Sequence, residues 1–256
     1  MNDQSSSELT TRELSEETFH DRKYSQKNIE PAHYDCNPTY VICQDMINGL
    51  GDISGKTILE CGCGDGWMTV ELASRGAKVY AFDISGESVK ETQNFLIRKN
   101  LAKDCIIEKK AAEQLDYENE TFDIIIGFAI LHHVEMEKVI PLLHRILKKS
   151  GTLVFAEPLR GNPLLDLYRK FTPEFRTPDE RPFKISELNN YLNGFNTVNH
   201  KEYYFTTLFP LFMTNISMFR FMKRFVTPFC RFDNLLFSIF PFLRNLAWYT
   251  NFNCTK

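Results

Sequence analysis

The sequence predicts an α/β protein built on a doubly wound, mostly parallel sheet of seven strands. Short apolar segments alternate with helical segments from residue 57 to residue 157, a pattern typical of strands that pair in parallel. The segment 122–128 is apolar at almost every position, as expected of a central strand covered on both faces. A turn with three glycines at 62–66 joins the first strand to a helix, where sheets of this kind bind ligands.

The N-terminal residues are predicted to add little to this sheet. Residues 1–18 are rich in Ser, Thr and Glu, and a segment with so few apolar side chains is expected to stay disordered. Order should therefore begin near Phe19. From 38 to 50 the apolar residues have the spacing of a helix, which would pack before the first strand.

The alternating region predicts each element in turn. Five strands are expected at 57–61, 78–83, 104–108, 122–128 and 151–157. The helices between them are expected near 66–75, 85–100 and 135–148. Two more strands, at 195–207 and 246–254, complete the predicted sheet of a single domain that spans 19–256.

Two segments interrupt the alternation. Residues 158–182 are rich in Pro and Arg and are expected to form a loop on the substrate side of the sheet. Residues 208–245 are predicted to form a Phe-rich helical cap, since twelve of the 22 phenylalanines lie between 205 and 252. Three interpretations of the cap stay open, because its rings could complete the core, form a wall for an apolar substrate or rest on a membrane.

The glycine turn has the form E-x-G-x-G-x-G from Glu60 to Gly66, and Asp83 ends the next strand. Glycine allows positive φ angles and lets a ligand approach the backbone N–H groups. A dinucleotide fingerprint counted from Gly62 requires a third glycine where Trp67 stands. The turn also contains no Lys or Arg that would neutralise a phosphate. An acidic turn instead suits a ligand with positive charge.

This turn resembles motif I of the class I S-adenosylmethionine (SAM) methyltransferases, whose sheet is Rossmann-like with an antiparallel seventh strand and N-terminal lid helices. SAM carries a sulfonium cation and no phosphate. The resemblance implies that Asp83 binds the ribose hydroxyls, with capping of the next helix as the alternative. Ala111 replaces the acid that contacts adenine in many relatives. The implied cofactor-binding residues are Glu60, Gly62, Gly64, Gly66, Asp83, Ile84, Ala112, Glu113, Phe128 and His133.

Candidate catalytic residues follow the fourth and fifth strands, whose carboxyl ends are neighbours in such a sheet. His132 and His133 come after the fourth strand, and Glu157 ends the fifth. This pattern resembles small-molecule methyltransferases that include sugar O-methyltransferases and quinone C-methyltransferases. The resemblance implies that His132 is the base and Glu157 its orienting partner. Alternatively, a histidine caps the helix that starts at Glu135.

The methyl acceptor is expected to be a small, apolar or aromatic metabolite, methylated at oxygen or else at carbon or nitrogen. The Asn-Pro-Pro-Tyr and Asp-Pro-Pro-Tyr motifs do not follow the fourth strand, which argues against nucleobase amines and glutamine amides as acceptors. The missing Asp at the same place disfavours the metal-dependent catechol type. Arg160 and Arg176, in a loop with Arg169 and Arg181, are candidates to bind a substrate carboxylate or phosphate. Solvated loop charges are the alternative.

Composition narrows the partners and the compartment. The formal charge of −3 does not suggest a nucleic acid as partner. Seven cysteines without a C-x-x-C pair indicate reduced thiols in the cytoplasm, and Cys61 and Cys63 are expected to fill the turn rather than bind a metal. The first 30 residues are polar, and no apolar run reaches the roughly 18 residues of a membrane span. Peripheral membrane contact through the Phe-rich segment stays open.

Two other functional classes remain. A SAM-binding regulatory subunit without transferase activity would keep the same glycine turn. An NAD-dependent oxidoreductase is disfavoured by Trp67. The sequence does not indicate an oligomeric state.

Overall fold

The computed structural model describes residues 8–25, 40–214, 221 and 223–256. Its strands are β1 Thr57–Cys61, β2 Lys78–Asp83, β3 Cys105–Lys109, β4 Phe122–Phe128, β5 Leu147–Pro158, β6 Thr197–Tyr203 and β7 Tyr249–Thr255. They form one sheet in the order β3-β2-β1-β4-β5-β7-β6. β7 is antiparallel to both of its neighbours, whereas β1 to β5 pair in parallel. The predicted fold class is confirmed.

Helices cover both faces of this sheet. They are α1 Thr11–Ser25, α2 Tyr40–Gly49, α3 Trp67–Ser74, α4 Gly86–Arg98, α5 Met136–Ile146, α6 Pro163–Phe171, α7 Ile185–Tyr191, α8 Leu208–Thr214 and α9 Lys223–Ile239. Single 3₁₀ turns lie at Ala102–Asp104, Ala112–Gln114, Leu131–His133 and Pro173–Phe175, and a longer one at Pro241–Leu246. No helix in the described part of the chain combines the length and the apolar character that crossing a bilayer requires.

The core consists of two apolar clusters, one on each face of the sheet. Alternate residues of a strand point to opposite faces. Leu59 and Ile125 therefore pack in the cluster that contains α5, while Ile58 and Ile126 pack in the cluster that contains α2 and α3. Both faces of β1 and β4 are buried, which explains why most residues of these strands are apolar.

The N-terminal region differs from the prediction. α1 is a regular helix from residue 11, so the expected disordered tail through residue 18 is wrong there; residues 1–7 lie outside the described part. The helix buries carboxylates and exposes an apolar side chain, since Glu13 and Glu16 are 4% exposed and Leu14 is 49% exposed. The residues that α1 contacts are polar, so its sequence lacks the apolar face from which a helix is predicted.

The two inserted segments are mainly helical. α6 lies in the predicted loop 158–182, and α8 and α9 lie in the predicted cap 208–245, where residues 215–220 and 222 are outside the described part. Buried Asp233 of α9 joins the two cap helices. Its carboxylate accepts hydrogen bonds from three successive backbone N–H groups and two hydroxyls, which belong to Phe205, Thr206 and Thr207. The carboxylate of Asp233 thus fixes the turn between β6 and α8.

Candidate active site

A cavity of ≈ 490 Å³ lies at the carboxyl ends of β1, β2 and β4, where a doubly wound sheet binds its ligand. This size is in the range of small-molecule sites. The turns after the three strands form one side of the cavity. α1 contributes another through Arg12, Glu13, Glu16, Phe19, His20, Lys23 and Tyr24.

The glycine turn has backbone angles that require glycine. The φ angles are 74° at Gly62, 53° at Gly64 and 78° at Gly66, a region that other residues rarely adopt. Gly62 and Gly64 line the cavity. Gly66 lies outside the cavity lining, contrary to the predicted cofactor contact. A Cβ on Gly66 would come 2.8 Å from the Cα of Thr92, so this glycine lets α3 pack against α4.

Asp83 lies at the tip of β2 and lines the cavity. One carboxylate oxygen accepts a hydrogen bond of 2.9 Å from the N–H of Gly64, and the other accepts one of 2.9 Å from the N–H of Ser85. Burial raises the pKa of Asp83, and these two N–H groups oppose the rise. Ser85, not Asp83, caps α4. Each oxygen of Asp83 can accept a further hydrogen bond.

Glu60 lies one residue before the end of β1 and is buried at the cavity wall. Its Oε2 accepts a hydrogen bond of 2.6 Å from the hydroxyl of Thr69. Burial raises the pKa of Glu60 to about 8, although the Thr69 hydroxyl opposes this rise. A cation in the cavity would favour the ionised form of Glu60.

The predicted adenine-side residues Ile84, Ala112 and Glu113 all line the cavity. Glu113 has protein partners, because its Oε1 accepts hydrogen bonds of 3.0 Å from Arg12 and from the N–H of Glu135. The carboxylate of Glu113 therefore connects α1 with the start of α5.

His132 and Glu157 are in direct contact, with 2.7 Å between Nδ1 and Oε2. The fully buried carboxylate of Glu157 also accepts hydrogen bonds of 2.9 and 2.8 Å from the N–H groups of Ile130 and Leu131. These donors favour the ionised carboxylate. In its ionised form the carboxylate accepts a hydrogen bond from Nδ1–H of His132, which leaves the lone pair on Nε2. The Nδ1 atom of His132 therefore contacts Glu157 and not the start of α5.

Burial sets the protonation of this pair. It lowers the pKa of His132, so the ring is neutral in the free protein. It raises the pKa of Glu157 to about 7, and the N–H groups of Leu131 and Ile130 oppose that rise. Nε2 of His132 lies 3.9 Å from Oε1 of Glu180, and both residues line the cavity. A molecule in the cavity can therefore approach the His132 ring, whose protonated form burial disfavours.

His133 lines the cavity but faces α1. Its Nδ1 lies 3.1 Å from Oε2 of Glu16, and its carbonyl oxygen accepts a hydrogen bond from Arg12. Thr177 donates a hydrogen bond of 2.5 Å to Oε1 of the same Glu16. Burial lowers the pKa of His133. The nearby rings of His133 and His20 outweigh the effect of burial on Glu16 and hold its pKa far below the usual range.

Sequence reasoning missed α1 and two residues of the segment 158–182, Thr177 and Glu180. A signal for α1 was present, since its cavity-lining positions 12, 13, 16, 19, 20, 23 and 24 recur with the period of a helix. Most of these positions are polar, so the pattern did not resemble an amphipathic helix with an apolar face.

The two arginines predicted for substrate binding lie in different places. Arg160 pairs with Glu187 on α7 and is half exposed, away from the cavity lining. Arg176 lines the cavity and lies 3.7 Å from Glu180. Arg169 lines it as well. Arg176 therefore remains a substrate-side candidate and Arg160 does not.

Aromatic residues from β4 and the start of β7 form an apolar part of the cavity. Phe128 and Tyr249 stack with their ring centroids 5.5 Å apart, and Trp248 lies beside them. Among the described residues of the segment 208–245, none lines the cavity. The Phe-rich cap is therefore not a substrate wall where the structure describes it.

Comparison with known proteins identifies the central part of the chain. A family model described as a methyltransferase domain matches residues 59–155. This region is a methyltransferase domain. The methyltransferase domain contains the glycine turn, Asp83 and His132, and Glu157 lies two residues beyond its end.

Relatives of known activity match a similar region. A ubiquinone biosynthesis O-methyltransferase of Nitrosomonas europaea is 30% identical over 151 residues, which are 57% of this chain and 61% of that protein. A protein of the same name from Pseudomonas paraeruginosa is 28% identical over 153 residues, covering 59% and 62% of the two chains. The match thus spans about three fifths of the length of these relatives.

Solved structures support the fold over nearly the whole chain. The geranyl diphosphate C-methyltransferase from Streptomyces coelicolor A3(2) has a TM-score of 0.66 at 10% identity, covering 96% of this chain and 98% of that one. The phosphoethanolamine N-methyltransferase 2 of Haemonchus contortus, solved with S-adenosyl-L-methionine, also has a TM-score of 0.66, at 15% identity over 98% of this chain and 60% of that one.

Proposed function

We propose that this chain transfers the methyl group of SAM to a hydroxyl oxygen of a small aromatic metabolite, with His132 as the base. The observation that carries the proposal is the contact between His132 and Glu157 at the wall of the cavity. A neutral imidazole oriented by a buried carboxylate is suited to take a proton from an acceptor hydroxyl.

The cavity has the groups that SAM requires. Asp83 has oxygen atoms for the two ribose hydroxyls, and Gly62 and Gly64 let the ligand approach the backbone. The acidic Glu60 suits the positive end of the amino-acid part. Ile84 and Ala112 provide apolar surface on the adenine side. When bound, SAM supplies an electrophilic methyl group.

The residues of this chain then take up the proton of the acceptor hydroxyl. Nε2 of His132 takes the proton as the acceptor oxygen attacks the methyl carbon, and Glu157 stabilises the resulting imidazolium through Nδ1–H. SAM held at Asp83 and the glycine turn would supply the methyl group to the acceptor oxygen and leave as S-adenosylhomocysteine, and the proton would pass from His132 to solvent. Holding the reactants in line at one cavity supplies much of the acceleration.

An aromatic acceptor fits the wall formed by Phe128, Trp248 and Tyr249, on which a ring can stack. The names of the two relatives, which act in ubiquinone biosynthesis as O-methyltransferases, favour a ring hydroxyl as the methylated group. Arg176 and Glu180 add a polar region next to the wall, which can bind a polar ring substituent.

Calorimetry with S-adenosylhomocysteine and SAM tests the cofactor assignment. We expect one ligand per chain for each. Asp83→Ala should raise the Kd of SAM roughly 10- to 100-fold, because it removes charge-assisted hydrogen bonds of about 1.5–3 kcal/mol. Asp52→Ala, an exposed carboxylate outside the cavity, should bind SAM like the wild type. Binding of NADH without S-adenosylhomocysteine would contradict the assignment.

We further propose that the chain rests on membranes through an apolar face of α6 and the Pro241–Leu246 turn. Leu164, Phe171 and Phe242 are 72%, 73% and 66% exposed. Single exposed apolar residues are normal on a protein surface, whereas a group of them often marks a binding surface. Asn162, at the start of α6, donates a hydrogen bond to the carbonyl of Leu246, so the two elements are adjacent. Exposed Lys170 can attract anionic lipid.

Sedimentation with phosphatidylglycerol vesicles tests membrane contact. We expect the wild type to sediment with the vesicles, and the double variant Leu164→Glu with Phe171→Glu to stay in the supernatant because a charge at the acyl boundary is costly. Glu174→Gln, an exposed change that adds no charge to the apolar face, is the matched control. Equal sedimentation of all three proteins would contradict the proposal.

A further inference from the structure

Three potential metal ligands meet where α1 approaches the loop after β4. Oε2 of Glu16 lies 3.1 Å from Nδ1 of His133 and 3.6 Å from Nε2 of His20. All three ligand atoms lie within 4.8 Å of one another. Metal–ligand bonds of about 2.0–2.1 Å in a tetrahedral site separate the ligand atoms by about 3.3 Å. The two shorter separations bracket this value.

Glu16 has the features of a ligand rather than of an ordinary ion pair. The residue is 4% exposed, and its Oε2 is buried without a hydrogen bond of acceptable geometry. Its Oε1 is already occupied by the hydroxyl of Thr177. A carboxylate that binds a metal is usually also hydrogen-bonded to a neighbouring residue. Here the hydroxyl of Thr177 would hold one oxygen of Glu16 and leave the other free for the metal.

The ligand set selects the kind of ion. Two imidazoles and one carboxylate suit Zn²⁺ and the other divalent transition metals, whereas Mg²⁺ and Ca²⁺ prefer oxygen atoms throughout. Three protein ligands leave at least one coordination position for water or substrate. Glu16, His20 and His133 all line the cavity, so an open position would be accessible from it.

We propose that Glu16, His20 and His133 bind one divalent transition-metal ion, best fitted by Zn²⁺, that connects α1 to the active-site loop. The ion fixes α1 over the cavity and offers an oxygen-binding position near His132. Metal binding does not depend on the identity of the methyl acceptor, nor on methyl transfer.

Titration of the chelator-treated full-length protein with Co²⁺ tests the site, because the visible spectrum of Co²⁺ reports its ligands. We expect one Co²⁺ per chain with a spectrum of nitrogen and oxygen ligation, and displacement by Zn²⁺. A band of thiolate ligation would assign the ion to cysteines instead and overturn the proposal. Failure of Co²⁺ to bind would also overturn it.

Variants assign the ligands. Glu16→Gln and His20→Ala should each weaken Co²⁺ binding by roughly 100-fold or more, beyond the effect of losing an outer partner. Thr177→Val should weaken it about 10- to 100-fold, and Thr177→Ser should restore it, because serine keeps the hydroxyl. His200→Ala is the matched control, since His200 contacts only one carboxylate, that of Glu202, at 2.5 Å. Wild-type affinity in Glu16→Gln and His20→Ala would overturn the proposal.

Discussion

Replacing His132 by alanine should lower kcat roughly 10²- to 10⁴-fold, the usual range for loss of a general base. The reason is that the proposed mechanism makes Nε2 of His132 the proton acceptor, with Glu157 acting only through the ring. We expect the affinity for SAM to be unchanged, because the cofactor contacts that we propose are those of Asp83 and the glycine turn. Single-turnover transfer of a labelled methyl group, measured with a phenolic acceptor found by screening, gives the rate.

Added imidazole distinguishes a catalytic role from a structural one. The base that His132→Ala lacks can be supplied from solution, so we expect imidazole to restore part of the rate. A variant that had only lost packing would not respond. Glu157→Gln should lower kcat without changing the Kd of SAM, since the amide no longer stabilises the imidazolium. A tenfold or smaller loss in His132→Ala would instead indicate catalysis by proximity alone.

The second large effect concerns stability. Asp233→Ala should lower the free energy of unfolding by about 3 kcal/mol or more, because it leaves several buried donors of 205–207 without an acceptor. For a chain of this size that loss corresponds to a fall in Tm of roughly 6–12 °C. Differential scanning calorimetry measures both quantities.

Two variants calibrate this result. Asp233→Asn keeps one acceptor oxygen and should lose less stability than Asp233→Ala. Asn234→Ala changes the next residue of α9, which is exposed, and should stay within about 0.5 kcal/mol of the wild type. If Asp233→Ala melts like Asn234→Ala, the carboxylate does not hold α8 as the structure indicates.

The features that could be predicted from the sequence depend on neighbouring residues or on adjacent strands. Buried parallel strands must be apolar, and the turn after β1 must contain glycine, so both were visible in the sequence. The contact between His132 and Glu157 was also predictable, since adjacent strands place their carboxyl ends together. The role of Gly66 was not, because it depends on Thr92 of another helix.

The remaining site residues come from contacts between distant segments. Glu180 reaches the cavity, and Thr177 reaches the cavity-lining Glu16, from a loop whose path the sequence does not specify. Arg160 and Arg176 lie in the same Arg-rich segment, yet Arg160 forms an ion pair with Glu187 of α7. α1 was missed for a different reason, since burying a polar face contradicts the rule that helices bury apolar side chains.

Because α1 buries polar side chains, polar contacts hold it in place. α1 reaches the rest of the molecule mainly through charged and hydrogen-bonding groups, including Arg12 to Glu113, Glu17 to Lys109 and Asp21 to Ser85. Lys109 is half exposed, and dissolved salt screens such a charge pair, whereas it does not loosen an apolar contact. We therefore expect the attachment of α1 at the cavity to weaken as the ionic strength of the surrounding solution rises.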